Sequence, residues 1–248
     1  MNEQDFKTWR EFQKKSLLNN QEFNNLCKDW YQVSVDQKYS YQFDWLGVPI
    51  IQYPTDLLAF QDVVFRTKPD LVIECGVARG GSLIFWASMQ TICGLKPNVI
   101  GIDIDLKPHT LEAVQRSIFG KSIKLIEADS TSDKIHKKLD SYISKQSRVM
   151  VVLDSNHTED HVYQELQIFS RYVTEGNYLL VLDTVIEFLN AEKDRAWGPG
   201  NSPFSAVQRF LKETNEFEID KRYGQFVDLS VAIDGFLQKN NSKRVKLK

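Results

Sequence analysis

The sequence predicts an α/β fold: a doubly wound, mostly parallel seven-stranded sheet with helices on both faces, behind an N-terminal helical extension. Three observations carry that prediction. From Pro69 to Leu182, apolar runs of strand length alternate with segments of helical length. The runs end in carboxylates, at Glu74, Asp103, Asp129, Asp154 and Asp183. The first run is followed by Gly76-Val77-Ala78-Arg79-Gly80-Gly81-Ser82, a glycine turn that opens a helix.

Residues 1–68 read as the extension. Phe6, Trp9 and Phe12 begin one amphipathic stretch, and Phe23, Leu26, Cys27 and Trp30 mark another. Tyr39 to Pro54 is aromatic and turn-rich, and Pro54-Thr55-Asp56 opens a helix to about Thr67. Residues 69–239 form the second unit. Its strands are Leu71 to Cys75, Asn98 to Ile102, Ile123 to Ser130, Val149 to Leu153 and Tyr178 to Leu182. A helix is expected from Glu159 to Tyr172. Leu189 to Pro203 is a loop holding Trp197-Gly198-Pro199-Gly200, and Ser202-Pro203 caps a helix through Lys212. Phe217 to Asp220 and Phe226 to Ile233 are expected to close the sheet as a β-hairpin. Residues 240–248 form a basic tail, expected to be solvated and disordered, with weak contact to an anionic membrane surface as the alternative.

The 248 residues are 42% hydrophobic, enough for one sizeable core, and the formal charge of −2 exerts no overall pull on nucleic acid. Cys27, Cys75 and Cys93 lack metal-ligand spacing and are odd in number, which suits reduced thiols in a cytoplasmic protein. The N-terminus has no signal pattern, and no apolar run is long enough to span a bilayer.

The glycine turn and Asp103 point to a ligand carrying adenosine. An acid after the second strand can accept both ribose hydroxyls, in the crevice at the carboxyl ends of the strands. A dinucleotide loop would need glycine where Ala78 stands, and no Gly-Lys-Ser/Thr triplet exists for a P-loop. The pattern E-x-G-x-x-x-G-G-S instead resembles the first motif of class I S-adenosylmethionine-dependent methyltransferases, whose ligand has ribose and adenine but no pyrophosphate.

Asp154 and Asp183 end neighbouring strands and offer two carboxylates to a hard divalent ion such as Mg²⁺. Such an ion acidifies a substrate hydroxyl and aligns its oxygen with a methyl donor. The plainer alternative makes both residues helix caps. His157, three residues after Asp154, is placed to take the acceptor proton, or merely to start the next helix. A two-histidine, one-carboxylate iron site from His157, His161 and Asp154 stays open at this level.

A broader likeness runs from about Trp45 to Lys239. Trp45-Leu46-Gly47-Val48-Pro49, Lys68 to Gly76, Gly80-Gly81-Ser82 and Gly101-Ile102-Asp103-Ile104-Asp105 begin it. Leu153-Asp154-Ser155-Asn156-His157-Thr158, Val181-Leu182-Asp183-Thr184, Trp197-Gly198-Pro199-Gly200 and Gly235-Phe236-Leu237 complete it. Together these resemble the cephalosporin hydroxylase/rhamnosyl O-methyltransferase family. The resemblance implies S-adenosylmethionine bound by Glu74, Gly76, Gly80, Gly81, Ser82, Asp103 and the Asp129 region, and a divalent metal at Asp154 and Asp183. Members often carry Glu-Asp-Thr where this chain has Leu182-Asp183-Thr184. Metal-dependent catechol-type O-methyltransferases use an Asp and then an Asp-Asn pair, so Thr184 is expected as a weaker third ligand, and His157 holds the place of their base.

The resulting expectation is an O-methyltransferase acting on a hydroxyl of a sugar, glycan or secondary metabolite, assembled as a homo-oligomer through residues 1–68. Two alternatives stand beside it: a nucleotide-dependent oxidoreductase, and a non-catalytic subunit that keeps its cofactor and has lost its metal. The aromatic preamble and the Trp197 loop are expected to wall the acceptor pocket, or else to pack onto the sheet.

Overall fold

A computed structural model of the chain describes residues 1–143, 147–190 and 194–241, with the side chains of Asp133, Lys134 and His136 excepted. The tail expected to be disordered lies, from Ser242 onward, outside the described residues. Two helices open the chain, α1 (Glu3–Asn19) and α2 (Gln21–Asp36). Asn2 and Asn20 cap them through side-chain oxygens that accept from Asp5 N and Phe23 N. A short hairpin, β1 (Asp44–Trp45) with β2 (Val48–Pro49), and α3 (Pro54–Thr67) complete the extension.

The main sheet takes β3 (Leu71–Cys75), β4 (Val99–Asp103), β5 (Ile123–Glu127), β6 (Val149–Leu153), β7 (Tyr178–Val181), β8 (Phe217–Ile219) and β9 (Phe236–Lys239). Their spatial order is β5-β4-β3-β6-β7-β9-β8, all parallel except β9, which runs antiparallel to both neighbours. The helices α4 (Gly81–Ile92), α5 (Pro108–Arg116), α6 (Asp133–Asp140), α7 (Glu159–Phe169) and α8 (Pro203–Glu213) connect the strands.

β3, β6 and β7 are buried at every position, as strands covered on both faces must be. One apolar cluster lies on the face of α3 and α4 and includes Tyr31, Tyr53, Phe60, Phe85, Trp86 and Phe236. The other packs α6, α7 and α8 through residues such as Ile135, Leu166, Phe169, Val207 and Phe210. Tyr31 and Tyr53 are buried with the first cluster, so the extension contributes to the core rather than hanging beside it.

The terminal hairpin differs from expectation in its second strand. β8 pairs with Phe236–Lys239, whereas Phe226–Asp228 is a single 3₁₀ turn and Ser230 to Ile233 a buried loop. That loop is apolar because it packs. Its backbone goes to Asp56, which accepts from Val231 N at 3.0 Å, and to Thr184 Oγ1, which donates to Ile233 O at 2.6 Å. With those groups satisfied by side chains, the segment needs no strand partner.

Candidate active site at the sheet switch point

Strand order reverses between β3 and β6, and the crevice at such a switch point is where open α/β sheets bind ligands. The parallel ladder runs one residue past the strands there. Gly76 N donates to Ile102 O at 2.8 Å, Asp154 N to Cys75 O at 2.8 Å, and Leu182 N to Leu153 O at 3.0 Å. Gly76, Asp154 and Asp183 therefore emerge side by side. A Cβ on Gly76 would collide with the backbone carbonyl of Asp154, and one on Gly81 with that of Pro49. These two glycines are required by close approach of the chain to itself. At Gly80 (φ +89) a Cβ would point at Val114 Cγ2, 2.9 Å away, and so toward α5, not into the crevice.

Asp103 ties the loop down: its Oδ2 accepts from Val77 N at 2.8 Å, and its Oδ1 from Asp105 N at 3.0 Å. Asp103, Asp129, Ser130, Asn156 and His161 line a cleft of about 190 Å³ beside Gly76. Asp129 is held by the hydroxyl and amide of Thr131, at 2.7 and 2.8 Å, which keep its carboxyl below the usual range. Residues Gly76 to Ser82, with Gln52 and Asp154, line a narrower strip that continues from it.

Glu74, expected to touch the cofactor, is placed elsewhere. It is 1% exposed, and its two carboxylate oxygens accept from Ser82 Oγ and Trp86 Nε1 on α4. Successive strand side chains alternate faces, and Glu74 is turned toward the α4 layer. Burial pushes its carboxyl up to about 7 against the two donors. Ser82, although at the edge of the strip, spends its hydroxyl on that tie.

At the other end of the crevice, His157 Nε2 lies 3.3 Å from Asp183 Oδ2 and 4.0 Å from Asp154 Oδ1. Among the described residues these three form the one set whose donor atoms, all within 4.8 Å of one another, could hold a metal. Asp154 and Asp183 can give a hard ion such as Mg²⁺ two carboxylate oxygens and leave its other positions to water or substrate, and His157 stands beside them. The carboxyl of Asp154 is driven well above its usual range, first by burial and then by the nearby charge of Asp183. A cation bound there would offset both penalties. Asp183 itself adopts a left-handed backbone (φ 54), unusual outside glycine. Thr184, expected as a weaker third ligand, has its hydroxyl engaged elsewhere: it is fully buried, and Oγ1 donates to Ile233 O at 2.6 Å and lies 3.4 Å from Val231 O. His161 faces away too, with Nε2 3.5 Å from Glu165 Oε1 and 3.2 Å from Ser155 Oγ, so His157, His161 and Asp154 do not assemble.

The set opens onto a pocket of about 340 Å³, lined by Tyr41, Tyr53, Asp154, His157, Asp183 and Trp197 among others. The Trp197 ring lies 4.9 Å from that of His157. Glu187, unremarked in the sequence, holds this loop: it accepts from Gly200 N at 3.0 Å and from Ser202 and Ser205 hydroxyls at 2.5 and 2.9 Å. Gln52, equally unremarked, donates to Asp154 Oδ2 at 3.0 Å. Nothing in the local pattern marks either residue, because both act across more than ten positions of chain.

Strand order, glycine loop and the acid that ends β4 define a class I methyltransferase fold. The sequence profile of the rhamnosyl O-methyltransferase/CmcI family matches residues 37–240. The chain belongs to that family. It is 27% identical over 196 residues to the rhamnosyl O-methyltransferase of Mycobacterium leprae, covering 78% of this chain and 81% of that one. The Mycobacterium tuberculosis (strain H37Rv) protein of the same description is 24% identical over 198 residues, with 79% and 78% covered. Among solved structures, CmcI with Mg and SAM superposes with a TM-score of 0.57 at 17% identity, covering 81% of this chain and 78% of that one. The MycE methyltransferase of the mycinamycin biosynthetic pathway, in complex with Mg, SAH and mycinamycin VI, gives 0.51 at 18%, covering 85% and 54%. Those two likenesses bear on fold.

Proposed function

We propose that the chain is an S-adenosylmethionine-dependent, Mg²⁺-assisted O-methyltransferase whose acceptor is a hydroxyl of a sugar, a glycan or a sugar-bearing natural product. The observation that carries this reading is the Asp154–His157–Asp183 set, which lines the aromatic pocket, with Asp154 also on the glycine strip beside the Asp103 cleft. The relatives named for rhamnosyl O-methylation support the acceptor class. S-adenosylmethionine supplies the methyl: the acceptor oxygen forms the new C–O bond as the C–S bond breaks, leaving S-adenosylhomocysteine. Mg²⁺ on Asp154 and Asp183 would acidify the acceptor hydroxyl and orient its oxygen.

The chain's own residues do the rest. Asp103 and Asp129 offer acceptors to the ribose and adenine side, while Gly76 lets the backbone come close. His157 Nε2 receives the proton lost by the acceptor. Trp197 and Tyr41 present aromatic faces to a sugar ring. Residues 69–239 hold the methyl-transfer machinery, and 1–68 close its acceptor side. We also place self-assembly on 1–68. No residue of α1 is buried, and Phe6, Trp9 and Phe12 are exposed, so Trp9→Glu with Phe12→Glu should lower the mass seen by light scattering.

Among the described residues no helix is long and apolar enough to cross a membrane. The three free thiols, two of them buried, suit the cytoplasmic setting that belongs to this reading. Calorimetry with S-adenosylmethionine and S-adenosylhomocysteine, followed by methyl transfer to rhamnosides with and without EDTA, tests the proposal. Absence of binding at millimolar cofactor overturns it. Binding without any metal-dependent transfer would leave a cofactor-binding subunit instead.

A further inference from the structure

Gln52 lies between β2 and α3, and its side chain is 5% exposed. Nε2 donates to Asp154 Oδ2 at 3.0 Å, whereas Oε1 has no partner. The small cavity beside the amide is walled mainly by apolar groups, among them Ile50, Leu57, Phe60, Phe85 and Leu182. A buried acceptor left unpaired costs about 1–3 kcal/mol. Methionine would fill the same space without that cost, so packing alone does not account for an amide here.

The amide has one polar engagement, and it fixes a metal-binding candidate. An ionised Asp154, as a cation would require, only accepts, so the NH₂ end of Gln52 faces it and Oε1 is left without a partner. With Oδ2 taken, Oδ1 is the oxygen of Asp154 turned to His157 Nε2, 4.0 Å away, on the side of Asp183. Leu182 stands in the same wall, at the position where members of the resembling family often carry a glutamate. The set therefore has two carboxylates, and the orientation of each bears directly on ion affinity.

We infer that Gln52 is the positioning residue of Asp154: it holds Oδ2 so that Oδ1 alone is presented to a divalent cation beside Asp183. This inference rests on the metal reading above. Gln52 acts through Asp154, and its contribution is that of an outer partner to a metal ligand, whose loss commonly weakens ion binding by about 10–100-fold.

The test uses the full-length protein and Mg²⁺ alone, titrated by calorimetry without acceptor. Gln52→Met keeps length and volume and removes the donor. Gln52→Asn keeps the amide but falls short of Asp154, and serves if the first variant folds poorly. Both should raise the Kd for Mg²⁺ by about 10–100-fold. Affinity for S-adenosylhomocysteine should stay within a few-fold, and the Tm of Gln52→Met within a few degrees of wild type. Wild-type Mg²⁺ affinity in Gln52→Met makes Gln52 a packing residue and overturns the inference. Failure of the wild-type protein itself to bind Mg²⁺ overturns the metal reading first, and the inference with it. That result is distinct from a defect, or its absence, seen only in the variants.

Discussion

Glu74→Gln separates architecture from cofactor binding. The carboxyl is 1% exposed and pushed up to about 7 by burial, from an ordinary value of 4.5. A carboxyl whose folded pKa is raised holds its proton more tightly folded than unfolded. Its stabilising contribution is therefore complete below about pH 4.5 and lost as pH rises through 7. At about 1.4 kcal/mol per unit, the loss is on the order of 3 kcal/mol. For a chain of this size that corresponds to roughly 6–12 °C in Tm. Glutamine removes the titration and can satisfy both neighbours: Oε1 accepts from Trp86 Nε1, and Nε2 donates to Ser82 Oγ. Thermal melts of both proteins from pH 5 to 8 should therefore diverge, with the variant gaining on the wild type as pH rises. Asp56, also raised to about 7 by burial, adds a slope common to both and cancels in the difference. Affinity for S-adenosylhomocysteine should stay within a few-fold. Parallel melting curves would refute the account of Glu74 as a buried, titrating tie. A large loss of cofactor affinity in a stable variant would return it to the cofactor site.

The remaining predictions concern the crevice. Asp154→Ala and Asp183→Ala should each abolish calorimetric Mg²⁺ binding and most turnover while S-adenosylmethionine affinity stays within a few-fold, because the ion addresses the acceptor. His157→Ala should keep metal binding and slow transfer by about 10²–10⁴-fold, and less for acceptors with acidic hydroxyls; an unchanged rate with every acceptor would remove it as the base. Gly76→Ala should destabilise the fold by about 1–3 kcal/mol, since its Cβ meets the backbone of Asp154, which cannot yield as a side chain can. A denaturation midpoint equal to wild type would refute that close approach.

Much of the fold is determined locally and was legible. The strand runs are apolar throughout because both faces of β3, β6 and β7 are covered, and Ser202-Pro203 starts α8 with the expected cap. The positions of Asp154, His157 and Asp183 after consecutive strands also followed from chain order. Parallel register brings strand ends level, so residues far apart in sequence become neighbours. The second strand of the terminal hairpin was not legible, because side chains of Asp56 and Thr184, distant in sequence, satisfy the backbone of the segment that looked like a strand. The same holds at the site. An acid at a strand end reads alike whether it faces the crevice, as Asp103 does, or the α4 layer, as Glu74 does; only the pleat and the helix above it decide. The hydroxyl of Thr184 and the amide of Gln52 were settled in the same way, by which polar groups the folded chain brings within 3 Å. Sequence determines which groups are available at each end of the sheet; tertiary packing decides which are left free for ligand, because most buried polar atoms take a partner that folding gives them.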